Sequence, residues 1–475
     1  MINNSNLQKC HLVVGPILFF LCYFLLPESL FETNASRAAI GTVALMSYWW
    51  LTAPIDYAVT AFLPIALNAI FEMANMKDVI ANYASETILL LLGASIITVS
   101  WEETGLDKRI ASMFLNMIGS NVRKQVIFWF CLSTVLSAVL PNSVVCATIT
   151  PIAVAMLKYI GHGDIERSRI GSKILLAIAY AAGIGGLASP LGGAMNLVTV
   201  DYIQQMTGEE YMYVDWVIRF FPIMIVLLIT NLLFMIRDVN KDDTLGGSNE
   251  YFREEYKKIG KITREEGWAL AIFVIATIMA FTRQFYSDVL PGLKPAYSFI
   301  ICAIFAFFIT RKEDGSKLLH WGMVAKKVVW GLIYIFAGGL AAGTLINESG
   351  ATTAIGAAVA DMGITGGIGA VCVFITIPLL LSDVTSNTAT AAVAIPIVIS
   401  IVQGLGLNPI PYIYIASIGV NLSYMLPTSI RAIPVGYGLS PKYMFKEGWK
   451  MTIIVVISMT LVGWALMTYW SAFSE

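Results

Sequence analysis

The stretch Leu381-Ser-Asp-Val-Thr-Ser-Asn-Thr-Ala-Thr-Ala-Ala-Val-Ala-Ile-Pro396 sets a short polar knot between two apolar runs, residues 371–381 and 393–402. Asp383, Thr385, Ser386, Asn387, Thr388 and Thr390 make up the knot. Each arm is short for a membrane crossing, which takes about 20 residues. A polar turn at bilayer depth persists only where protein or a water-filled cavity satisfies its backbone. The pattern predicts a re-entrant hairpin: one half-helix in, a polar tip, one half-helix back.

The stretch has a second copy. Subtracting 245 from each number gives Leu136-Ser-Ala-Val-Leu-Pro-Asn-Ser-Val-Val-Cys-Ala-Thr-Ile-Thr-Pro151. Ser382, Val384, Asn387, Ala392 and Pro396 match Ser137, Val139, Asn142, Ala147 and Pro151, and Thr388 matches Ser143 in kind. The same offset pairs Gly93 with Gly338, Glu103 with Glu348 and Gly105 with Gly350. A constant offset over so long a stretch points to two structural repeats.

Composition places these repeats in a membrane. Of 475 residues, 57% are hydrophobic and 13% charged, and the mean hydropathy is +0.74. Soluble domains carry about 25% charged residues. The net charge of −1 says nothing about partners; no nucleic-acid partner is expected. The six cysteines mostly lie in apolar runs without a CxxC pair, and the three histidines are scattered, so neither disulfides nor a metal site is expected. No cleavable signal follows the apolar run at 12–26, which is predicted as the first span.

The predicted architecture is all-α and polytopic, with eleven transmembrane helices and two re-entrant hairpins. The first unit, residues 1–237, holds the first span and first repeat, with a hairpin at about 126–159 and a broken helix at about 173–203. A polar cytoplasmic linker follows at 238–266. The second repeat, 267–475, holds a hairpin at about 369–405 and a broken helix at about 411–437. Simple spans are expected at 38–52, 58–74, 87–105, 217–236, 268–281, 296–310, 328–347 and 451–469. Lys and Arg gather in the loops around the first hairpin and in the linker, whereas 361–411 carries none. The N-terminus is therefore expected in the cytoplasm, the C-terminus outside, and the second repeat inverted relative to the first.

Inverted repeats with hairpins and broken helices bring half-helix ends together near the midplane, an arrangement of secondary carriers. Each returning arm begins at an Asn followed by Ser or Thr, residues suited to helix starts. A helix start carries about half a positive charge. Two of them facing each other suit a solute with a negative group at each end. An intramembrane enzyme would need a nucleophile and base or a metal cluster, and here Ser, Thr and Asn dominate without a neighbouring His. A channel would more usually show a continuous polar pore or rings of charge. The glycines of Gly183-Ile-Gly185-Gly186 follow a membrane run, not a strand, which excludes a nucleotide loop.

At the tips the sequence resembles the divalent anion:sodium symporter family, which carries dicarboxylates, citrate or sulfate and has a Ser-Asn-Thr motif on each hairpin. The second motif is intact as Ser386-Asn387-Thr388, and the first is altered to Pro141-Asn142-Ser143. The resemblance covers most of the chain. It implies a homodimer in the lipid bilayer, with a fixed scaffold domain and a transport domain moving as an elevator. It also implies that the tip residues hold substrate carboxylates and help build sodium sites. Ser137 and Ser382 match the hydroxyl residue that joins the sodium cages, together with Asn142 and Asn387. Neither break carries the family's Pro-Pro-Asn: the first reads Ser189-Pro190-Leu191-Gly192-Gly193 and the second Pro427-Thr428-Ser429-Ile430-Arg431-Ala432.

The expected substrate set is Asn142, Ser143, Ser189, Gly193, Ser386, Asn387, Thr388, Thr428 and Arg431. Intramembrane charges are costly and functional by default. Arg431 is read either as supplying the positive charge that sodium supplies in symporters, or as snorkelling from a helix end. Asp383 is read as binding a proton, pairing with Arg431 or bonding within its own hairpin. The function expected is exchange of C4 and C5 dicarboxylates (malate, succinate, fumarate, 2-oxoglutarate) in a bacterial plasma membrane. No cofactor and no metal are expected. Sodium-coupled symport is the alternative.

Overall fold

The computed structural model describes residues 4–115, 120–240, 243–354 and 366–474. Lys241 and Asp361, which entered the charge argument, lie outside them. Among the described residues the chain is helical, with two isolated β-bridges, Asn121–Thr244 and Thr310–Lys317. Among the described residues, seven helices are long and apolar enough to cross a membrane, and the returning arms Asn142–Tyr159 and Asn387–Gly404 are among them.

Both hairpins form where the apolar runs meet polar tips. The first pairs Val122–Ser137 with Asn142–Tyr159, and the second pairs Ile368–Val384 with Asn387–Gly404. Pro141, with φ −52°, precedes the first return arm, and its carbonyl accepts the N–H groups of Val144 and Val145. Ser386 starts the second return arm by accepting the Ala389 N–H at 3.1 Å. That bond satisfies one of the donors every helix start leaves free.

The first broken helix runs Arg169–Gly186, a turn at Pro190–Gly192, then Ala194–Thr207. The second begins as Pro409–Asn421, but its far side is only a turn at Ser429–Arg431 and the short helix Ala432–Gly436. Leu422 to Thr428 are non-helical, and Ser429 takes a left-handed φ of 51°. The broken helix expected at 411–437, with its break at 427–432, thus has only the short Ala432–Gly436 beyond the break.

Other boundaries move for local reasons. The span expected at 58–74 is split into Tyr57–Thr60 and Leu63–Phe71, with Pro64 in the first turn of the second helix, where its missing N–H would have had no helical partner. The span expected at 296–310 is helical only over Pro295–Ala306, and Thr310 instead bridges to Lys317. The polar linker is not structureless. It contains the helix Ser248–Ile259, and it docks on the first hairpin through Leu245 N–H to Ser120 O at 2.7 Å and Val122 N–H to Asp243 O at 2.9 Å. Gln125 donates to Ser248 Oγ at 2.8 Å, and Tyr159 and Tyr251 are in ring contact.

Both hairpins and both broken helices share the main apolar core. A separate cluster joins Asn4–Leu25 and Asn34–Thr52 to Trp330–Glu348. A third sets Met46, Trp50 and Ala61 against Ala389 and Ala392 of the second return arm. Trp330–Glu348 meets its neighbours through glycines. A Cβ on Gly338 would lie 2.5 Å from Ala61 O, one on Gly339 2.0 Å from Ala392 Cβ, and one on Gly343 2.3 Å from the Tyr202 hydroxyl. Small residues permit such close helix contact in membranes.

Charged residues outside the core make ordinary pairs. Glu103 bonds Lys327 at 2.7 Å and lies 3.5 Å from Arg311, while Glu348 accepts the Asn75 N–H at 2.9 Å. Both glutamates are accounted for as structural. All six cysteines are free, and no group of three metal-binding side chains occurs among the described residues.

Candidate functional site

Each hairpin tip is fastened to the adjacent break by the same two bonds. Ser137 Oγ donates to Ala182 O at 2.6 Å, and Ser382 Oγ donates to Val420 O at 2.8 Å. In return, Ser189 Oγ donates to Ala138 O at 2.6 Å, and Thr428 Oγ1 donates to Asp383 O at 3.0 Å. Ala138 and Asp383 are themselves related by the offset of 245. The hydroxyl protons of Ser189 and Thr428 thus go to hairpin carbonyls here, and these residues position the tips. The hydroxyls of Ser137 and Ser382 are likewise engaged, although their oxygens can still accept.

Glycines make this fastening close. A Cβ on Gly185 would stand 2.2 Å from Thr134 O, and one on Gly419 2.4 Å from Ile375 O. Gly192 meets Gly186 O at 2.4 Å by the same measure. In the glycine run at 183–186, Gly185 and Gly186 thus allow close helix packing.

Asp383 was read three ways, and its geometry differs from the local bond within its own hairpin. Oδ1 reaches the second break and accepts the Tyr424 and Met425 N–H groups, both at 2.8 Å. The carboxylate does the work of a cap for non-helical backbone that has no helical partner. Asp383→Asn keeps an acceptor there and is expected to fold. Asp383→Ala strands two N–H groups and is expected to cost about 3 kcal/mol, read as a lower melting temperature of the detergent-solubilised protein.

Arg431 does not snorkel. It is 1% exposed, and among the described residues it makes no ion pair. Its Nε and Nη1 are buried without a protein acceptor. A Cβ on Gly183 would lie 2.7 Å from Nη2 and 3.6 Å from Asn421 O, which places the guanidinium between the two broken helices. The preceding residue, Ile430, takes Cys146 Sγ on its carbonyl at 3.5 Å. The cation of the second break therefore packs against the first hairpin, the one whose motif is altered.

The remaining predicted residues divide by tip. Asn142 is 8% exposed, with Nδ2 beside Gly186 and Gly193, and Ser143 is exposed. Gly193 is extended at φ −163° and packs on Met195. Asn387 and Thr388 are buried, and Ser386 is half-buried as the cap. Asn387 Nδ2 donates to Asn421 O at 3.1 Å. Three oxygens here, Asp383 Oδ2, Asn387 Oδ1 and Asn421 Oδ1, are buried without a protein donor. On the other flank, Thr385 and Thr390 bond each other at 2.8 Å beside an apolar cavity of about 260 Å³ that Trp50 also lines.

Two central asparagines were not among the predicted set. Asn196 Nδ2 donates to Gly186 O at 2.6 Å and Ser189 O at 2.9 Å, closing the first break. Its Oδ1 accepts from Asn421 Nδ2 at 2.8 Å. Both residues are fully buried. The available signal was an amide inside an apolar helix next to each break, which needs a buried partner.

Hairpins, broken helices and a buried polar centre define a membrane transporter. Two solved transporters share the fold. The *Alcanivorax borkumensis* YdaH transporter has a TM-score of 0.55 at 11% identity, covering 99% of each chain. *Neisseria gonorrhoeae* MtrF has a TM-score of 0.57 at 12% identity, covering 94% of this chain and 96% of that one. A family model described as citrate transporter matches residues 47–419. The chain belongs to that family, of the divalent anion:sodium symporter type that the hairpin tips resemble, and is a transporter, not an enzyme. Similar relatives include the sodium-dependent dicarboxylate transporter SdcS of *Staphylococcus saprophyticus*, 29% identical over 97% of this chain and 91% of its own. The protein of the same name from *Staphylococcus aureus* MRSA252 is 30% identical over 98% and 92%.

Proposed function

We propose that this protein exchanges C4 and C5 dicarboxylates across a bacterial plasma membrane without sodium. The observation that carries this reading is Arg431, a buried guanidinium with two unpartnered nitrogens set against the altered first hairpin. A guanidinium takes a carboxylate in a forked contact. The helix starts at Asn142 and Asn387 then offer neutral amides to the two ends of the substrate. A fixed cation resists returning empty, because a buried unpaired charge is costly. Reorientation therefore requires a dianion in each direction. The names of the relatives support dicarboxylate as the substrate class.

The reading includes eleven crossings with a cytoplasmic N-terminus and an extracellular C-terminus, a homodimer, and an elevator movement of the hairpins against the outer helices. Sodium-coupled symport is the second reading. It is favoured by the three unpartnered oxygens at the second tip, a donor type that hard cations take, and by the relatives' names.

Uptake of labelled malate or 2-oxoglutarate into proteoliposomes separates the two. The sodium gradient and internal unlabelled dicarboxylate are varied independently. Exchange predicts uptake that requires internal dicarboxylate and ignores sodium. Uptake into empty vesicles that follows the sodium gradient would establish symport instead.

A further inference from the structure

Four asparagines link one hairpin tip to the other. Asn142 lies against Gly186, Gly186 O accepts from Asn196, Asn196 accepts from Asn421, and Asn421 O accepts from Asn387. One asparagine comes from each tip and one from each break. The middle link, Asn421 Nδ2 to Asn196 Oδ1 at 2.8 Å, joins the two broken helices directly. Thr199 Oγ1 and Ser417 Oγ join the same helices again at 3.0 Å, one turn away. Both asparagines are fully buried, so water does not compete for the bridge.

We infer that the Asn196–Asn421 bridge is the spacer that fixes the tip-to-tip distance and thereby selects the chain length of the transported dianion. The inference rests on the proposal that one carboxylate binds at each tip. Asn196 and Asn421 act through their neighbours: Asn196 holds the carbonyls of Gly186 and Ser189 beside the first tip, and Asn421 holds Asn387 of the second. They are positioning residues. Breaking the bridge frees one half of the site to shift relative to the other, while the second tip keeps its Ser386 cap and both tips keep their fastening bonds.

The test is inhibition of counterflow by malonate, succinate, glutarate and adipate, for wild type, Asn421→Ala, Asn196→Ser and the double variant. A methylene in a fitted site is worth about tenfold or more. Wild type should prefer succinate and glutarate over malonate and adipate by that order, and each variant should reduce the preference to below about threefold. In length profile the double variant should match the singles, because either single change already breaks the bridge, although Asn196→Ser also loses the bonds to Gly186 O and Ser189 O and Asn421→Ala the bond to Ser417 O. A purely structural role would lower transport of every length equally, and an unchanged length profile would overturn the spacer alone. Wild type carrying none of these dianions would remove the two-tip reading, and the spacer with it. If neither variant folds, thermal stabilisation of wild type across the same acids decides: a single maximum is expected, and a flat series overturns the proposal.

Discussion

Replacing Arg431 with methionine is expected to abolish exchange while raising the melting temperature of the substrate-free protein. The two effects have opposite signs because the guanidinium is buried with Nε and Nη1 unpartnered. Without a dianion its charge is offset only in part, by the nearby Asp383 carboxylate, with which it makes no direct ion pair. Apolar replacement of buried ionic groups is often stabilising by about 1–4 kcal/mol. With a dianion bound, the same group supplies a charge-assisted contact, and losing one partner of such a pair costs about 2–5 kcal/mol. Counterflow should fall by about two orders of magnitude or more at fixed substrate. Arg431→Lys should not restore it, since an ammonium lacks the planar fork. Exchange that survives in Arg431→Met would remove the cation from the mechanism. Loss of exchange with a lower melting temperature would make Arg431 a structural residue.

The second large effect concerns Gly185 and Gly419. Alanine at either position drives a Cβ against hairpin backbone, Thr134 O or Ile375 O, and backbone cannot rotate away. Overpacking of this kind costs about 1–3 kcal/mol. Each substitution is expected to lower the melting temperature and loosen the Ser137 or Ser382 bond that lies nearby. Gly369 is the control, because a Cβ there meets nothing within 4 Å. Equal melting of Gly185→Ala and Gly369→Ala would mean that the hairpin and broken helix can separate without penalty.

The hairpins, the breaks and the placement of a cation beside them were legible from the sequence, because each is written locally. An apolar run stops at a polar knot, a helix meets Pro and Gly, and an arginine stands in an apolar segment. The bonds between these pieces were not legible. Asn196 and Asn421, like Asp383 and Tyr424, meet only after the chain has folded, and no spacing rule connects them. Ser189 and Thr428 illustrate the same limit from the other side. Their residue type and position fitted ligand contact, yet nearby carbonyls take their protons. A hydroxyl beside a break meets unpaired backbone first. The helix inside the polar linker escaped the reading because charged residues dominate it, and its apolar stripe, which starts at Tyr251 and docks on the first hairpin, is short.

The glycine face of Trp330–Glu348 has a mechanical consequence. Most packed helices interlock like gear teeth, ridge into groove, and can shift only in steps that lift one row of side chains over another. Here Gly338, Gly339 and Gly343 present smooth backbone to Ala61, Ala392 and Tyr202. Such a surface behaves as a plain bearing. A sliding hairpin would lose little contact along it, and the frictional part of the barrier to translation would be small. Under the proposed elevator movement, a single methyl group at Gly339 would put a tooth on the bearing against Ala392 and slow uptake without touching the ligand.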